Sequence, residues 1–267
     1  MLSFTELNKV WQETLRQHAL EPLQGEDGPY RAIGDKHLTF LDELWQARRK
    51  PLPDIGALIE AGKMVRFWSD PHFGHANIIR LADRTEFADV EAMDAAMMAN
   101  LDDAVSASDL VVCLGDLALK NSLELQRRLV KAYSDRHMTI VGNHDAKGAS
   151  GAAWAATGAL ASLAFSLPVD LIQSWVLETD SEMAELVNWP TLPERVNFGC
   201  SHWPVPIDRL PGPGWVNLHG HIHNKPTHAL GLNLSVEAIG YRPVTLREVV
   251  TAGLMDGLVR RQQGLLE

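Results

Sequence analysis

The chain has 267 residues, a formal net charge of −10, 46% hydrophobic residues and 22% charged ones. That length and apolar share suit one large domain, or a medium domain with an extension, around a sizeable core. The acidic balance argues against a long nucleic acid as partner, which calls for a basic face, but is compatible with a small anionic substrate where bound cations reverse the local field.

Two cysteines, Cys113 and Cys200, sit inside apolar runs and are expected to be buried free thiols in a reducing compartment. Met1 to Lys9 lacks the apolar core of a signal peptide. No run approaches the roughly 20 apolar residues that a membrane helix needs. A cytoplasmic protein without a membrane partner is expected.

Residues 1–62 are predicted to form an N-terminal helical extension. Ser3 and Glu6 make a capping-box pattern ahead of Phe4, Leu7, Trp11 and Leu15 at helical spacing. A second helix is predicted from Thr39 to about Arg49, and a short one from Asp54 to Ala61, stopped by Gly62. The extension carries no chemical motif.

From residue 63 to 267 the pattern is that of one α/β domain. Strands are predicted at Met64–Trp68, Leu110–Leu114, Met138–Val141, Val196–Cys200, Trp215–Leu218 and Leu232–Val236. Helices are predicted at Asp89–Asp103 and Ser122–Tyr133. Residues 146–194 look irregular apart from a helix near Asp180–Asn188, and Thr245 with Glu248 forms a capping box for a C-terminal helix.

Five polar clusters follow the apolar runs. They are Asp70-Pro71-His72 with His75 and Asn77 just beyond, Gly115-Asp116, Gly142-Asn143-His144-Asp145, Ser201-His202, and Gly220-His221-Ile222-His223. Ligands of α/β sheets gather at the carboxyl ends of strands, so the placements agree with one another. Glycine ahead of an acid or histidine lets the backbone turn and approach a bound group. Carboxylate, imidazole and amide oxygen donors suit first-row divalent metals such as manganese, iron, zinc or nickel, and their number suits two ions. His219 and Glu237 are expected to be structural, and His137 and His228 to sit at exposed loop or strand-end positions. Trp203, directly after His202, is a candidate pocket wall.

These motifs, in this order, resemble the calcineurin-like metallophosphoesterase superfamily over residues 63–250, and Ser69 to Ile79 is similar to its small bacterial and phage-type members. The resemblance implies a four-layer α/β/β/α sandwich of two mixed sheets. It also implies a hydrolase for a phosphomonoester or phosphodiester, a small molecule or nucleotide, with a metal-bridging hydroxide as nucleophile.

Asp70, His72 and His223 would then hold one metal, Asn143, His202 and His221 a second, and Asp116 would bridge them, with manganese the foremost choice. His144 would be the general acid, Asp145 would fix its tautomer, and His75 and Asn77 would reach the substrate. The chain departs from the family's protein phosphatases after Gly115-Asp116 and at Asp145. Two alternatives are a nuclease on short or single-stranded nucleic acid and a non-catalytic scaffold of the same fold. Composition and periodicity on their own give only α/β.

Overall fold

The computed structural model of the chain describes residues 52–119, 136–148, 159–179, 194–206, 209–212, 214–225 and 231–252, together with Glu6, Leu7, Lys9, Val10, Glu13 and Leu129. Among the described residues, nine strands form two mixed sheets. The first has five strands in the order β4-β3-β2-β1-β9, comprising β1 (Val65–Trp68), β2 (Leu110–Cys113), β3 (His137–Ile140), β4 (Ala159–Leu160) and β9 (Val244–Thr245). Its first four are parallel, and β9 closes the edge antiparallel to β1. The second has four, β5 (Leu163–Pro168), β6 (Arg195–Cys200), β7 (Trp215–His219) and β8 (Leu232–Asn233), with only β5 antiparallel to its neighbour.

The sheets pack face to face because each strand turns one apolar set inward. Val65, Phe67, Val112 and Ile140 of the first sheet share a buried cluster with Leu163, Phe165, Phe198 and Leu218 of the second. The Phe165 ring bridges the sheets, 6.0 Å from Phe67 and 5.2 Å from Phe198. The opposite face of the first sheet offers Trp68, Val111 and Cys113 to a helical layer.

In that layer, α2 (Ile78–Leu81) buries Ile78, and α3 (Val90–Ala104) buries Met93, Met97, Met98 and Leu101. The stripe repeats at helical spacing, and Asp89 caps the start of α3 by accepting from the Ala92 amide at 2.7 Å. α1 (Ile55–Glu60), capped by Asp54 and followed by Gly62 at φ 78°, sends Ile55 into the inter-sheet core. The outer side of the second sheet has a cavity of about 140 Å³, lined by Leu7 of the extension with Ala164, Gly199 and Trp215. Leu7 is buried and Glu13 pairs with Arg209 at 2.8 Å, so part of the extension packs there.

Most predicted strands and α3 appear within a residue or two of expectation. The Thr245–Glu248 capping box forms in both directions and opens a helix over residues 246–252. The stretch 146–194, expected to be irregular, instead holds β4, β5 and α5 (Val169–Thr179), together with the end of α4 (Asn143–Gly148). α5 starts directly after Pro168, the last residue of β5, with no cap motif to announce it. The last predicted strand shortens to Leu232–Asn233, because the chain then turns into a 3₁₀ segment at Val236–Ala238.

The helices predicted at Thr39–Arg49 and Asp180–Asn188 lie outside the described residues, as does nearly all of Ser122–Tyr133. Both cysteines are free and buried, as expected. No helix among the described residues is long and apolar enough to cross a membrane.

Candidate metal centre

The carboxyl ends of β1, β2, β3, β6 and β7 meet at one edge of the sandwich. A parallel bridge between Ser69 and Ser235, just past β1 and β8, ties the two sheets together there. The exits of β1 and β2 also run side by side. The amides of Asp70, His72 and Phe73 donate to the carbonyls of Gly115, Asp116 and Leu117 at 3.0, 3.0 and 3.1 Å. That pairing sets the Asp70, His72 and Asp116 side chains together.

Five of these residues have left-handed backbones: Asp70 (φ 58°), His72 (φ 54°), Asp116 (φ 52°), His221 (φ 71°) and His223 (φ 52°). Outside glycine such conformations cost about 1–3 kcal/mol each and concentrate at functional sites. Only Asp83 and Tyr241 share them among the other non-glycine residues described.

The seven predicted metal ligands are all buried and all converge. The Asp116 Oδ2 atom is 3.5 Å from His72 Nε2 and 3.5 Å from His202 Nε2. On one side, His72 Nε2 lies 3.7 Å from Asp70 Oδ1, and Asp70, His72 and His223 offer ligand atoms within 4.8 Å of one another. On the other, His202 Nε2 lies 3.0 Å from Asn143 Oδ1 and 3.2 Å from His221 Nδ1.

Hydrogen bonds outside the cluster fix which nitrogen points in. His202 Nδ1 donates to the Leu114 carbonyl at 3.0 Å, which turns Nε2 towards the cluster. His223 Nδ1 donates to Glu237 Oε1 at 3.0 Å, which likewise turns its Nε2 inward. Asp70 Oδ2 accepts from the His221 amide at 2.8 Å and from Ser235 Oγ at 3.2 Å.

Two glycines matter for space: a Cβ on Gly220 would overlap Ser69 Oγ and Asp70 Oδ2, and one on Gly142 would overlap Asp116 Oδ1. Gly115, at φ 111°, is the position where the backbone freedom itself is used.

Burial dominates the electrostatics. It pushes the Asp116 carboxyl up to about 6, with Asp70 adding to it and His202 opposing it. Burial and then Asp116 push Asp145 up to about 7. At Asp70 burial is the largest effect and acts upward, but the neighbouring His202, His72 and His223 rings together hold the carboxyl well below its usual range. Burial drives His72 and His221 well below the ordinary imidazole range, leaving them neutral with lone pairs to share. At His223 burial opposes the proton, yet Glu237 outweighs it and the net shift is upward.

The donor set fits divalent cations. Asp70 Oδ1 and His72 Nε2 are buried without a hydrogen-bond partner, an arrangement that costs free energy unless something else binds there. Asp70, Asp116 and Asp145 are buried, and among the described residues Arg84 is the only buried lysine or arginine. Packed carboxylates with so little compensation call for positive charge.

Around the ligands, the His144 ring is half-buried, 4.9 Å from that of His72 and 5.3 Å from that of His75. His75 Nδ1 lies 3.4 Å from His72 Nδ1. Asn77 is exposed at the start of α2, and its side chain makes no cap hydrogen bond. Asp145, expected to fix the His144 tautomer, is occupied by three backbone amides. Its carboxylate accepts from Asp116 at 2.7 Å, Gly142 at 2.9 Å and Leu117 at 3.1 Å, which holds the two ligand loops in register.

Trp203 is fully buried, its ring edge-on to His202 at 5.0 Å, so it backs the ligands rather than facing an open pocket. His219 is buried and donates from Nδ1 to the Gly220 carbonyl at 2.9 Å. His137 is at a strand end as expected, the first residue of β3, but it is buried and not exposed. His228 lies outside the described residues.

Sequence reasoning missed Arg84, whose side chain is fully buried beneath the site. Its one visible signal is a charged residue directly after Ala82-Asp83, which is ordinary for a surface turn.

No family model matches the chain. Over 191 residues it is 29% identical to the uncharacterized protein MJ1445 of Methanocaldococcus jannaschii, spanning 68% of this chain and 86% of that protein. It is also similar to a solved structure, the protein of unknown function AQ665 from Aquifex aeolicus. That match has 20% identity and a TM-score of 0.45, over 70% of this chain and 97% of the other.

Proposed function

We propose that the chain is a phosphoesterase of the calcineurin-like metallophosphoesterase superfamily, a four-layer α/β/β/α sandwich working with two divalent cations. The observation that supports this best is Asp116 Oδ2, equally distant at 3.5 Å from His72 Nε2 and His202 Nε2 and therefore between the two ligand groups. Asp70, His72 and His223 would hold one cation, Asn143, His202 and His221 the other, and Asp116 would be shared. Mixed oxygen and nitrogen donors suit manganese foremost, with iron, zinc or nickel as alternatives. Bound there, the pair would supply a water of near-neutral pKa and positive charge opposite a phosphoryl group.

The other roles belong to this chain's side chains. His144, at the rim beside His72 and His75, would give a proton to the leaving oxygen. His75 and Asn77, at the entrance to α2, would donate hydrogen bonds to phosphate oxygens. Asp145 would keep the Asp116 and Gly142 backbone in place through the three amides it accepts from. The net charge of −10 favours a small phosphoester or nucleotide over a polynucleotide. Two buried free thiols are in keeping with a reducing, cytoplasmic setting.

Hydrolysis of a mono-aryl phosphate and a bis-aryl phosphate with added manganese tests this reading and separates monoesterase from diesterase. His144→Ala is expected to lower turnover by about 10²–10⁴-fold with cation content retained, as loss of a general acid does. Failure of the wild-type protein to hydrolyse either ester, or full activity in the His144 variant, would contradict it.

A further inference from the structure

We propose that Arg84 and Glu237 are positioning residues that jointly aim the His223 imidazole and hold the Asp70–Pro71 backbone, and so set the affinity of one cation position and not the other. The proposal rests on the two-cation reading above. Arg84 is fully buried, and its guanidinium makes one connected set of bonds. Nη2 donates to the Asp70 carbonyl at 2.6 Å, Nη1 to the Pro71 carbonyl at 2.9 Å, and Nε to Glu237 Oε1 at 2.7 Å. The same Glu237 oxygen accepts from His223 Nδ1 at 3.0 Å. A single planar fork therefore joins the exit of β1 to the 3₁₀ segment after β8 and, through Glu237, to the loop after β7 in the other sheet.

Its three oxygen acceptors all serve the Asp70–His72–His223 group; its other neighbours are Met93, whose Sδ lies 3.4 Å from Nη1, and the Tyr241 ring, 6.0 Å from the guanidinium carbon. Asp70 and His72 flank the carbonyls that Arg84 holds, and both have left-handed backbones, at φ 58° and 54°. Removing the fork leaves two carbonyl oxygens without their donors and lets this loop relax. Glu237 acts at the other end, fixing the His223 tautomer with Nε2 inward and making the ring a stronger donor. On the Asn143–His202–His221 side the supports are different. The His202 ring is set by the Leu114 carbonyl, and the Asp116 and Gly142 amides by Asp145. Apart from the shared Asp116 and the His221 amide that donates to Asp70 Oδ2, the two positions have separate supports and should fail separately.

Lysine cannot replace Arg84 here, because an ammonium on a flexible stem lacks the planar fork that meets three acceptors at once. The Glu237→Gln change would keep an oxygen for His223 Nδ1, whereas Glu237→Leu would not. Loss of such outer partners commonly weakens a metal site about 10–100-fold.

The test is a manganese titration of the metal-free wild-type protein and of Arg84→Lys, Glu237→Gln and Glu237→Leu, with bound ions per chain read by equilibrium dialysis. The wild type is expected to bind two ions. Arg84→Lys and Glu237→Leu should weaken one of the two by about 10–100-fold with the other unchanged, and Glu237→Gln should stay closer to wild type than Glu237→Leu.

Arg84→Lys keeps the buried pair neutral, so it answers the question even if Glu237→Leu does not fold. Equal weakening of both ions, or no change in either, would overturn the positioning role while leaving the two-cation reading intact. A wild-type protein that binds no ion would overturn both.

Discussion

At the scale of single residues, the site is a set of side chains held where their backbones would rather not be. Asp70, His72, Asp116, His221 and His223 all sit at positive φ, a combined strain of several kcal/mol that the surrounding hydrogen bonds must over-determine. The glycines between them are the space this leaves. On Gly220 a methyl group would meet Ser69 Oγ and Asp70 Oδ2. Gly220→Ala is therefore expected to destabilise the metal-free protein by about 1–3 kcal/mol, as overpacking does, and to reduce the shift in melting temperature that manganese produces. Thermal melts with chelator and with manganese measure both effects. An unchanged manganese shift would mean that Asp70 tolerates displacement and does not hold the ion.

At the scale of elements, the strands that carry ligands were the easiest to read and their neighbours the hardest. β1, β2, β3, β6 and β7 are apolar runs that end in a polar motif, so their carboxyl ends, and with them all seven candidate ligands, were visible in order. β5 and α5 carry no motif, and α5 begins straight after Pro168 without a cap, so periodicity alone did not separate them from the irregular stretch around them. The two-residue strands β4 and β9 exist only through pairing with distant partners, Thr139–Ile140 and Arg66–Phe67, which no local pattern encodes.

The same limit applied to Arg84 and Glu237. They are 153 positions apart, and their 2.7 Å bond depends on the two sheets meeting at one edge. Asp145 was legible as a site residue, but the three amides it serves were not, because their identity follows from how the loops fold over one another.

At the scale of the whole molecule, the chain concentrates buried carboxylates at one end of a sandwich that is already acidic. Folding raises Asp116 to about 6 and Asp145 to about 7, above the roughly 3.9 of an unfolded aspartate. An acid whose pKa rises on folding is harder to ionise in the fold. These two groups therefore weaken the metal-free protein as pH rises from about 4 to about 7, and their penalty is absent below that window.

Cations favour the ionised forms and reverse the effect. The rise in melting temperature on adding manganese should accordingly be larger at about pH 7.5 than at about pH 5. An equal or larger rise at the lower pH would show that Asp116 is not what the ions bind.

The central claim is that two cations share Asp116. It is tested most directly by loading the protein with manganese, counting ions per chain and recording its electron paramagnetic resonance spectrum beside that of Asp116→Ala. Two ions held by one carboxylate, roughly 3.5–4 Å apart, should give an exchange-coupled spectrum at about two per chain in the wild type, with the coupling lost in the variant. One ion or none per chain, or two magnetically isolated ions, would contradict the account.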